Sequence, residues 1–289
     1  MSIWDGDLTT VFGNRTRKPR VRPLEWAVYV TPGIPVVTRD RSPGAPETLF
    51  QPTAATLIFG SRYAVLVDTF MTVQQATGLA DWVEQTGKKL RTIFITQGQG
   101  DHWFGAATLL RRFPDTTLVA TPHTVKTMRL NASPEVLAGW KHAFPGQIPS
   151  DLIIATELEG EVIDLEGEEL RVVDIGHTHT DHATCLHVPS IGLVVAGEAV
   201  YNGVHFSLAE SNARTRHKWL AALDRIEALD PRAVVARHKR PENEDHPRII
   251  EETRQYIRDF ERVAASTTSA QELYDKMLEL YPGRMSGFP

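Results

Sequence analysis

Short apolar runs alternate with amphipathic stretches along the chain, and this pattern predicts alternating strands and helices. Residues 26–30 alternate as a strand does, and the apolar runs at residues 55–59 and 64–68 flank a short turn, as in a hairpin of buried strands. Apolar residues over 73–88 recur at helical spacing, and residues 91–96 form another apolar run. These segments therefore predict a strand, a hairpin, a connecting helix and a further buried strand.

The same alternation continues along the rest of the chain. Further strands are predicted over residues 118–120, 170–175, 185–188, 193–196 and 233–236. Further helices are predicted over residues 103–112, 125–130, 134–142, 214–229, 246–265 and 269–280. Two strand-rich halves flanked by helices predict a sandwich of sheets that helices cover on both faces.

The chain is expected to fold as one domain preceded by an irregular segment. Residues 1–50 contain much of the proline and, apart from the strand at 26–30, little periodicity, so we expect an irregular N-terminal extension. Residues 51–289 are expected to form a single domain whose C-terminal helices lie within residues 246–282. A hydrophobic fraction of 42% among 289 residues is enough to bury one large core.

Charge and cysteine content narrow the functional classes. The net charge is −5, and phosphate binding requires clustered, uncompensated lysine and arginine, so nucleic acid is not an expected partner. The one basic run, residues 15–22, is interpreted as a solvated arm or a subunit contact.

The single cysteine, Cys185, excludes an intramolecular disulfide and fits a reducing cytoplasm. No apolar run approaches the ~20 residues that span a bilayer, and residues 1–5 do not resemble a signal peptide, so we expect a cytoplasmic protein.

Four polar clusters follow predicted strands. They lie at residues 97–102, 176–182, 197–198 and 237–238. A hydrolytic metal centre requires imidazole and carboxylate ligands from several rigid elements, together with an open position for water. Loops at strand ends converge on one edge of a sheet and supply such ligands. The clusters therefore indicate a metal site at a sheet edge.

These clusters resemble the motifs of the metallo-β-lactamase superfamily over roughly residues 55–240. The family's first motif, His-x-His-x-Asp-His after an apolar strand, corresponds to Gln97-Gly98-Gln99-Gly100-Asp101-His102. The remaining motifs correspond to Asp68 after a strand, Gly176-His177-Thr178, Gly197-Glu198 where the family carries Gly-Asp, and His238. The resemblance implies an α/β (α+β) fold, a four-layer αββα sandwich with its metal ligands at strand ends.

The resemblance also implies two metal sites, and the first of them has lost ligands. In the family this site uses the first two histidines of the loop and the histidine of Gly-His-Thr. Here Gln97 and Gln99 occupy the first two positions, and neutral amides bind first-row metals more weakly than imidazole does. Only His177 remains as a ligand, so we expect this site to be empty.

The second site implied by the resemblance is nearly complete. It retains Asp101, His102 and His238, and Glu198 is long enough to replace the bridging aspartate. Arg237 stands where the family commonly has glycine, and we expect it to pair with Glu198. Alternatively, it supplies positive charge in place of a metal or orients an anionic substrate.

Four further residues flank these motifs. His179 and His182 are expected to make hydrogen bonds around the ligands or to face solvent, although either could replace a lost ligand. Trp103 and Tyr201 could line a substrate pocket or belong to the core.

The first functional hypothesis is a metal-dependent hydrolase with an attenuated, mononuclear site. One divalent ion would be held by the residues of the second site, with zinc as the first choice and iron or manganese as alternatives. The substrate would be an ester, lactone, thioester or ether-like small molecule, and Asp101 or Glu198 would accept a proton.

The second hypothesis is a non-catalytic protein that binds no metal and assembles with an active paralogous subunit. A homo-oligomer or such a hetero-oligomer is expected in either case. A third hypothesis is that the two glutamines were substituted deliberately to inactivate an enzyme, but Glu198 and Arg237 argue against it because inactivation would not require them.

Overall fold

The computed structural model describes residues 23–38, 48–208 and 211–285. The basic run at residues 15–22 therefore lies outside the described residues. Within the described part of the chain, no helix is both long and apolar enough to cross a membrane.

The strands and helices alternate as the hydrophobic pattern predicts. The strands are β1 Glu25–Thr31, β2 Ile34–Pro35, β3 Leu49–Phe50, β4 Thr53–Phe59, β5 Tyr63–Val67, β6 Lys89–Ile95, β7 Thr117–Ala120, β8 Thr156–Glu157, β9 Val162–Leu165, β10 Glu168–Gly176, β11 Ala183–Val188, β12 Leu193–Val195, β13 Tyr201–Asn202, β14 Ala233–Val235 and β15 His238–Lys239. The helices are α1 Val73–Gln85, α2 Gly100–Trp103, α3 Ala106–Arg112, α4 Pro122–Asn131, α5 Pro134–Ala143, α6 Ala213–Glu227, α7 Arg248–Ala264 and α8 Ala270–Leu280.

The larger sheet has the strand order β13-β15-β4-β5-β6-β7-β8, and β1 pairs with β4 in addition. Strands β4 and β5 form the expected antiparallel hairpin, whereas β5, β6, β7 and β8 are parallel. Parallel neighbours need a crossover connection, and α1 and α3 supply two of them. Because helices and a second sheet cover its two faces, the strands of this sheet are apolar on both sides.

The second sheet has the order β14-β12-β11-β10-β9. Strands β9 to β12 are antiparallel, and β12 and β14 are parallel. One apolar cluster fills the space between the two sheets, where Ile58, Val65 and Phe94 of the larger sheet face Leu186 and Val195 of the second. The two sheets therefore form the central layers of a sandwich.

Two further apolar clusters hold the helical layers. The first packs α1, α3 and α4 on the outer face of the larger sheet, with Leu79 and Leu109 at its centre. The second packs α6 and α7 on the outer face of the second sheet around Trp219 and Ile257. The fold is therefore the expected four-layer αββα sandwich.

Some elements differ from the predicted ones. The helix predicted over residues 103–112 is divided into α2 and α3 at Gly105, whose amide donates to Phe70 O and where a Cβ would lie 2.7 Å from that oxygen. Strand β1 lies within the segment 1–50 and pairs with β4 along its full length, so residues 25–31 are part of the larger sheet. The domain division at residue 50 stays a prediction.

Candidate functional site

Glu198 is at the centre of a buried cluster of polar side chains. It lies on a short turn after β12, and its side chain is 9% exposed. Its Oε1 atom lies 2.9 Å from His238 Nε2 and 3.3 Å from His102 Nε2, and its Oε2 atom lies 2.8 Å from His179 Nε2. Three imidazoles from three separate segments therefore surround one carboxylate.

A glycine allows the turn that carries Glu198 to lie close to the neighbouring strand end. Gly197 has a φ of 56°, and a Cβ at this position would lie 3.2 Å from Thr96 Oγ1. The amide of Arg237 donates to Gly197 O at 2.8 Å and joins this turn to the segment before β15. The turn thereby brings Glu198 against His238, which begins β15.

Asp101 completes a set of possible metal ligands. One side-chain atom each of Asp101, Glu198 and His238 lies within 4.8 Å of the other two, and all three residues are buried. Asp101 Oδ2 also lies 3.7 Å from His102 Nε2. Two carboxylates and imidazole are ligands that divalent transition metals accept. The predicted second-site residues therefore converge.

Asp68 orients His102. The Nδ1 atom of His102 lies 3.0 Å from Asp68 Oδ2, and Thr96 fixes the same carboxylate through its amide at 2.8 Å and its hydroxyl at 2.7 Å. When Nδ1–H donates to Asp68, the Nε2 atom faces Asp101 and Glu198 with its lone pair. Carboxylate partners of this kind fix the tautomer of metal-binding histidines. The position of Asp68 after a strand is evident in the sequence, but this role is not.

Charges within the cluster shift several pKa values. Burial alone lowers the pKa of His102, but the negative charges of Asp101 and Asp68 outweigh burial and raise the pKa to about 10. Burial alone raises the pKa of Glu198, but the positive charges of His179 and His238 and a hydrogen bond from His102 hold it well below its usual range. Ionised carboxylates therefore pair with protonated imidazole, so a cation that binds here displaces protons.

Arg237 contacts Asp101, and the expected pairing with Glu198 is wrong. Its Nη1 atom donates to Ala54 O at 2.6 Å and to Thr69 O at 2.8 Å, and its Nη2 atom donates to Asp101 O. Its Nε atom lies 3.6 Å from Asp101 Oδ2. These three carbonyl groups belong to different segments beside the site, and the buried guanidinium donates to all three.

His177 does not join the cluster, which corrects its expected place among the metal ligands. Its Nδ1 atom lies 2.6 Å from Asp181 Oδ1, and it lines a separate cavity of about 300 Å³. His179, two residues later, lies against Glu198 instead. The chain rotates at Gly176, which has a φ of 89° and follows a register shift in the pairing of β10 and β11.

The two glutamines lie beside the cluster. Both amide atoms of Gln97 are buried and have no hydrogen-bond partner within the described ranges, whereas Gln99 Nε2 lies 3.3 Å from His179 Nε2. His182 is exposed, and its ring lies 4.2 Å from that of His123. His182 is therefore outside the cluster, and His179 is the loop histidine that joins it.

Of the two aromatic residues that were expected to line a pocket or belong to the core, one lies in the core and the other lines the cavity. Trp103 is fully buried, and its indole donates to Gly98 O at 2.9 Å, so it supports the loop from within the core. Tyr201 stacks on His238, with ring centroids 5.4 Å apart, and lines the cavity above the cluster.

A cavity of about 430 Å³ opens onto Asp101, His179, Glu198 and His238. Its remaining wall is largely apolar and was not anticipated from the sequence. The apolar lining residues are Val36, Phe50, Val136, Trp140, Ala143 and Phe144. Trp140, in the predicted helix at 134–142, was the signal that could have indicated such a wall.

Comparison with known proteins agrees with the fold described above. The model of the family described as the metallo-beta-lactamase superfamily matches residues 49–238. No curated protein matches the chain.

Solved structures share the fold at low sequence identity. A metallo-beta-lactamase family protein from Thermus thermophilus is 19% identical with a TM-score of 0.60, covering 88% of this chain and 87% of its own. A metallo-beta-lactamase from Pontibacter korlensis is 16% identical with a TM-score of 0.59, covering 82% of this chain and 99% of its own. The metallo-beta-lactamase FIM-1 from Pseudomonas aeruginosa, in its mono-zinc form, is 16% identical with a TM-score of 0.54, covering 83% and 97%.

Proposed function

Because the chain belongs to the metallo-β-lactamase superfamily, we propose that it is a hydrolase that works with a single divalent ion held by Asp101, Glu198 and His238. The observation that carries the proposal is the convergence of one ligand atom from each of these buried residues within 4.8 Å. The Nε2 atom of His102 lies beside the carboxylates of Asp101 and Glu198, so its imidazole is available as a fourth ligand.

The chemistry of the residues fits one ion better than two. The buried Oδ2 atom of Asp101 has no hydrogen-bond partner among the described residues, and a cation would satisfy it. Beyond the shared carboxylate of Glu198, the neighbouring position offers one imidazole, from His179, and the amides of Gln97 and Gln99, which are weak ligands. Zinc suits the donor set, with iron or manganese as alternatives.

Several residues of the chain would take part in hydrolysis. When bound, the ion would act as a Lewis acid and would lower the pKa of water. The carboxylates of Glu198 and Asp101 face the same space, so either would accept a proton from water there. Asp68 keeps the His102 ring in position.

The cavity supports a small-molecule substrate. About 430 Å³ is within the range of ligand pockets, and the lining combines the proposed metal ligands with apolar and aromatic side chains. We propose an ester, lactone, thioester or ether-like compound whose reacting bond lies at these ligands. A metal-free subunit of an active paralogue is not favoured, since the ligand group is retained. We also propose a cytoplasmic location and an oligomeric state, and light scattering on the purified protein would test the oligomeric state.

Hydrolysis by the zinc-loaded protein tests the proposal. We expect turnover of at least one of 4-nitrophenyl acetate, γ-butyrolactone and an acyl thioester. Asp101→Asn and Glu198→Gln should each lower kcat about 100-fold or more, because each removes a ligand and a proton acceptor. His217→Gln, which alters an exposed histidine on α6, is the matched control and should retain full activity. The proposal fails if the wild-type protein hydrolyses none of these compounds or if the two site variants keep its activity.

A further inference from the structure

One face of helix α5 borders the cavity. Val136, Gly139, Trp140 and Ala143 line the cavity, and their spacing of three, four and seven residues places them on one face of the helix. An amphipathic helix ordinarily buries its apolar face against other elements. No residue of α5 is fully buried, and Val136 is 41% exposed. Trp140 and Ala143 also pack against the core, so protein covers this apolar face only in part and the rest of it faces the cavity.

Gly139 lies between Val136 and Trp140 along the helix and also lines the cavity. Glycine is unfavourable inside a helix, because it loses more conformational freedom on folding than alanine does. Close packing does not account for it, because no heavy atom among the described residues lies within 4 Å of the position where its Cβ would be. The missing side chain instead leaves open space along the helical wall.

Aromatic rings extend this wall from α5 to the polar cluster around Glu198. Phe50 packs edge-to-face on Phe144 and Trp140, with ring centroids 5.7 and 6.5 Å apart. The same ring lies 5.8 Å from the imidazole of His238. A group that rests against the aromatic wall is therefore next to the proposed ligands. Aromatic rings pack well on one another in edge-to-face and offset arrangements.

We propose that the substrate is an ester or lactone that carries a bulky aromatic group. The aromatic group would lie in the space beside Gly139, against Trp140 and Phe50, and the carbonyl group would lie at Glu198. The inference rests on the proposed function for the reacting bond. The position of the aromatic group rests on the cavity wall alone.

Binding of a ligand that cannot be hydrolysed tests the aromatic site without catalysis. The probe is 2-acetylnaphthalene, a ketone with the shape of an aryl ester, titrated by calorimetry against the full-length protein. Gly139→Leu should weaken binding about tenfold or more, because the new side chain fills the space that the ring needs. Ala138→Leu adds the same bulk at the neighbouring exposed position, which does not line the cavity, and should change binding less than about twofold.

Kinetics with two methyl esters separates this inference from the proposed function. Gly139→Leu should raise KM for methyl 2-naphthoate about tenfold relative to KM for methyl acetate, whereas Ala138→Leu should leave the hydrolysis of both esters unchanged. Hydrolysis of methyl acetate by a wild-type protein that does not bind 2-acetylnaphthalene would overturn the aromatic site alone. Equal binding of the ketone by Gly139→Leu and the wild type would also overturn it. If only Gly139→Leu loses binding of the ketone and no ester is hydrolysed, the result would support the aromatic site and contradict the proposed function.

Discussion

Arg237 illustrates how a single buried charge can organise a site. Its guanidinium donates to the carbonyl oxygens of Ala54, Thr69 and Asp101, and it lies 5.4 Å above the ring of Phe70. These carbonyls come from β4, the segment after β5, and α2, so one side chain connects three segments. The planar fork of arginine suits several acceptors at once, whereas the ammonium group of lysine does not.

Replacement of Arg237 should destabilise the protein. Arg237→Gln removes most of the donors and leaves buried carbonyl groups and the Asp101 charge without compensation, at a cost of about 3 kcal/mol. Arg237→Lys should recover only part of this loss. Urea unfolding of the metal-stripped proteins measures the difference. Arg214→Gln, at an exposed position that makes no side-chain ion pair within the described part of the chain, is the control. Full recovery by lysine would contradict this account.

The sequence predicted which motifs meet, but it could not predict every contact between them. The positions of Asp101, His102 and His238 at strand ends were enough to bring them together near Glu198. The choice between His177 and His179 depends on backbone rotation in the loop, which the register shift between β10 and β11 sets. No local pattern encodes such a shift. The partner of Arg237 likewise depends on segments far apart along the chain.

At the scale of elements, one carboxylate connects the turns of two sheets. Glu166, in the turn between β9 and β10, accepts hydrogen bonds from the amides of Ser61, Arg62 and Tyr63 and from the Ser61 hydroxyl, at 2.7 to 2.9 Å. The Ser61 hydroxyl is the largest contributor to a pKa of about 2 for Glu166, below its ordinary value of 4.5. The charged form is therefore favoured in the folded protein.

The contribution of Glu166 to stability should depend on pH. Because folding lowers its pKa, the contribution is complete above pH 4.5 and is lost as pH falls towards 2. Glu166→Gln should lower the free energy of unfolding by about 1 kcal/mol at neutral pH, a value discounted because the carboxylate is exposed to solvent. The difference from the wild type should shrink below pH 4.5.

Urea unfolding of the two proteins across this pH range makes the measurement. Glu159→Gln is the control, since Glu159 is exposed and makes no side-chain hydrogen bond or ion pair among the residues that the structure describes. A difference between Glu166→Gln and the wild type that stays constant from neutral pH to about pH 3 would rule out the carboxylate as its source.

Helix α5 allows a test of the stability cost of its glycine. Gly139→Ala should stabilise the protein by about 0.5–1 kcal/mol, because alanine is the better helix former and its methyl group meets open space. Thermal unfolding measures the change, and Ala138→Gly on the same helix should lose a similar amount. Destabilisation by Gly139→Ala would show that the position has a packing constraint. The helix itself was predictable from its periodicity, but the cavity along one face was not.

At the scale of the whole molecule, three apolar clusters account for the layers of the sandwich. The strands of the larger sheet contribute alternate residues to the cluster between the sheets and to the cluster under α1 and α3. Continuous apolar runs in the sequence therefore predicted that both faces of these strands are covered. The two-residue strands β2, β3, β8, β13 and β15 were not predicted, because so short a segment has no periodicity and forms through pairing.

The metal content of the purified protein tests the central claim most directly. After exchange into metal-free buffer, mass spectrometry of the elements should find one divalent ion per chain in the wild type and in His217→Gln. Asp101→Asn and Glu198→Gln should lose the ion, and the double variant Gln97→His with Gln99→His should bind a second, because imidazole replaces two weak ligands. An ion-free wild-type protein, or two ions per chain without the added histidines, would contradict the account.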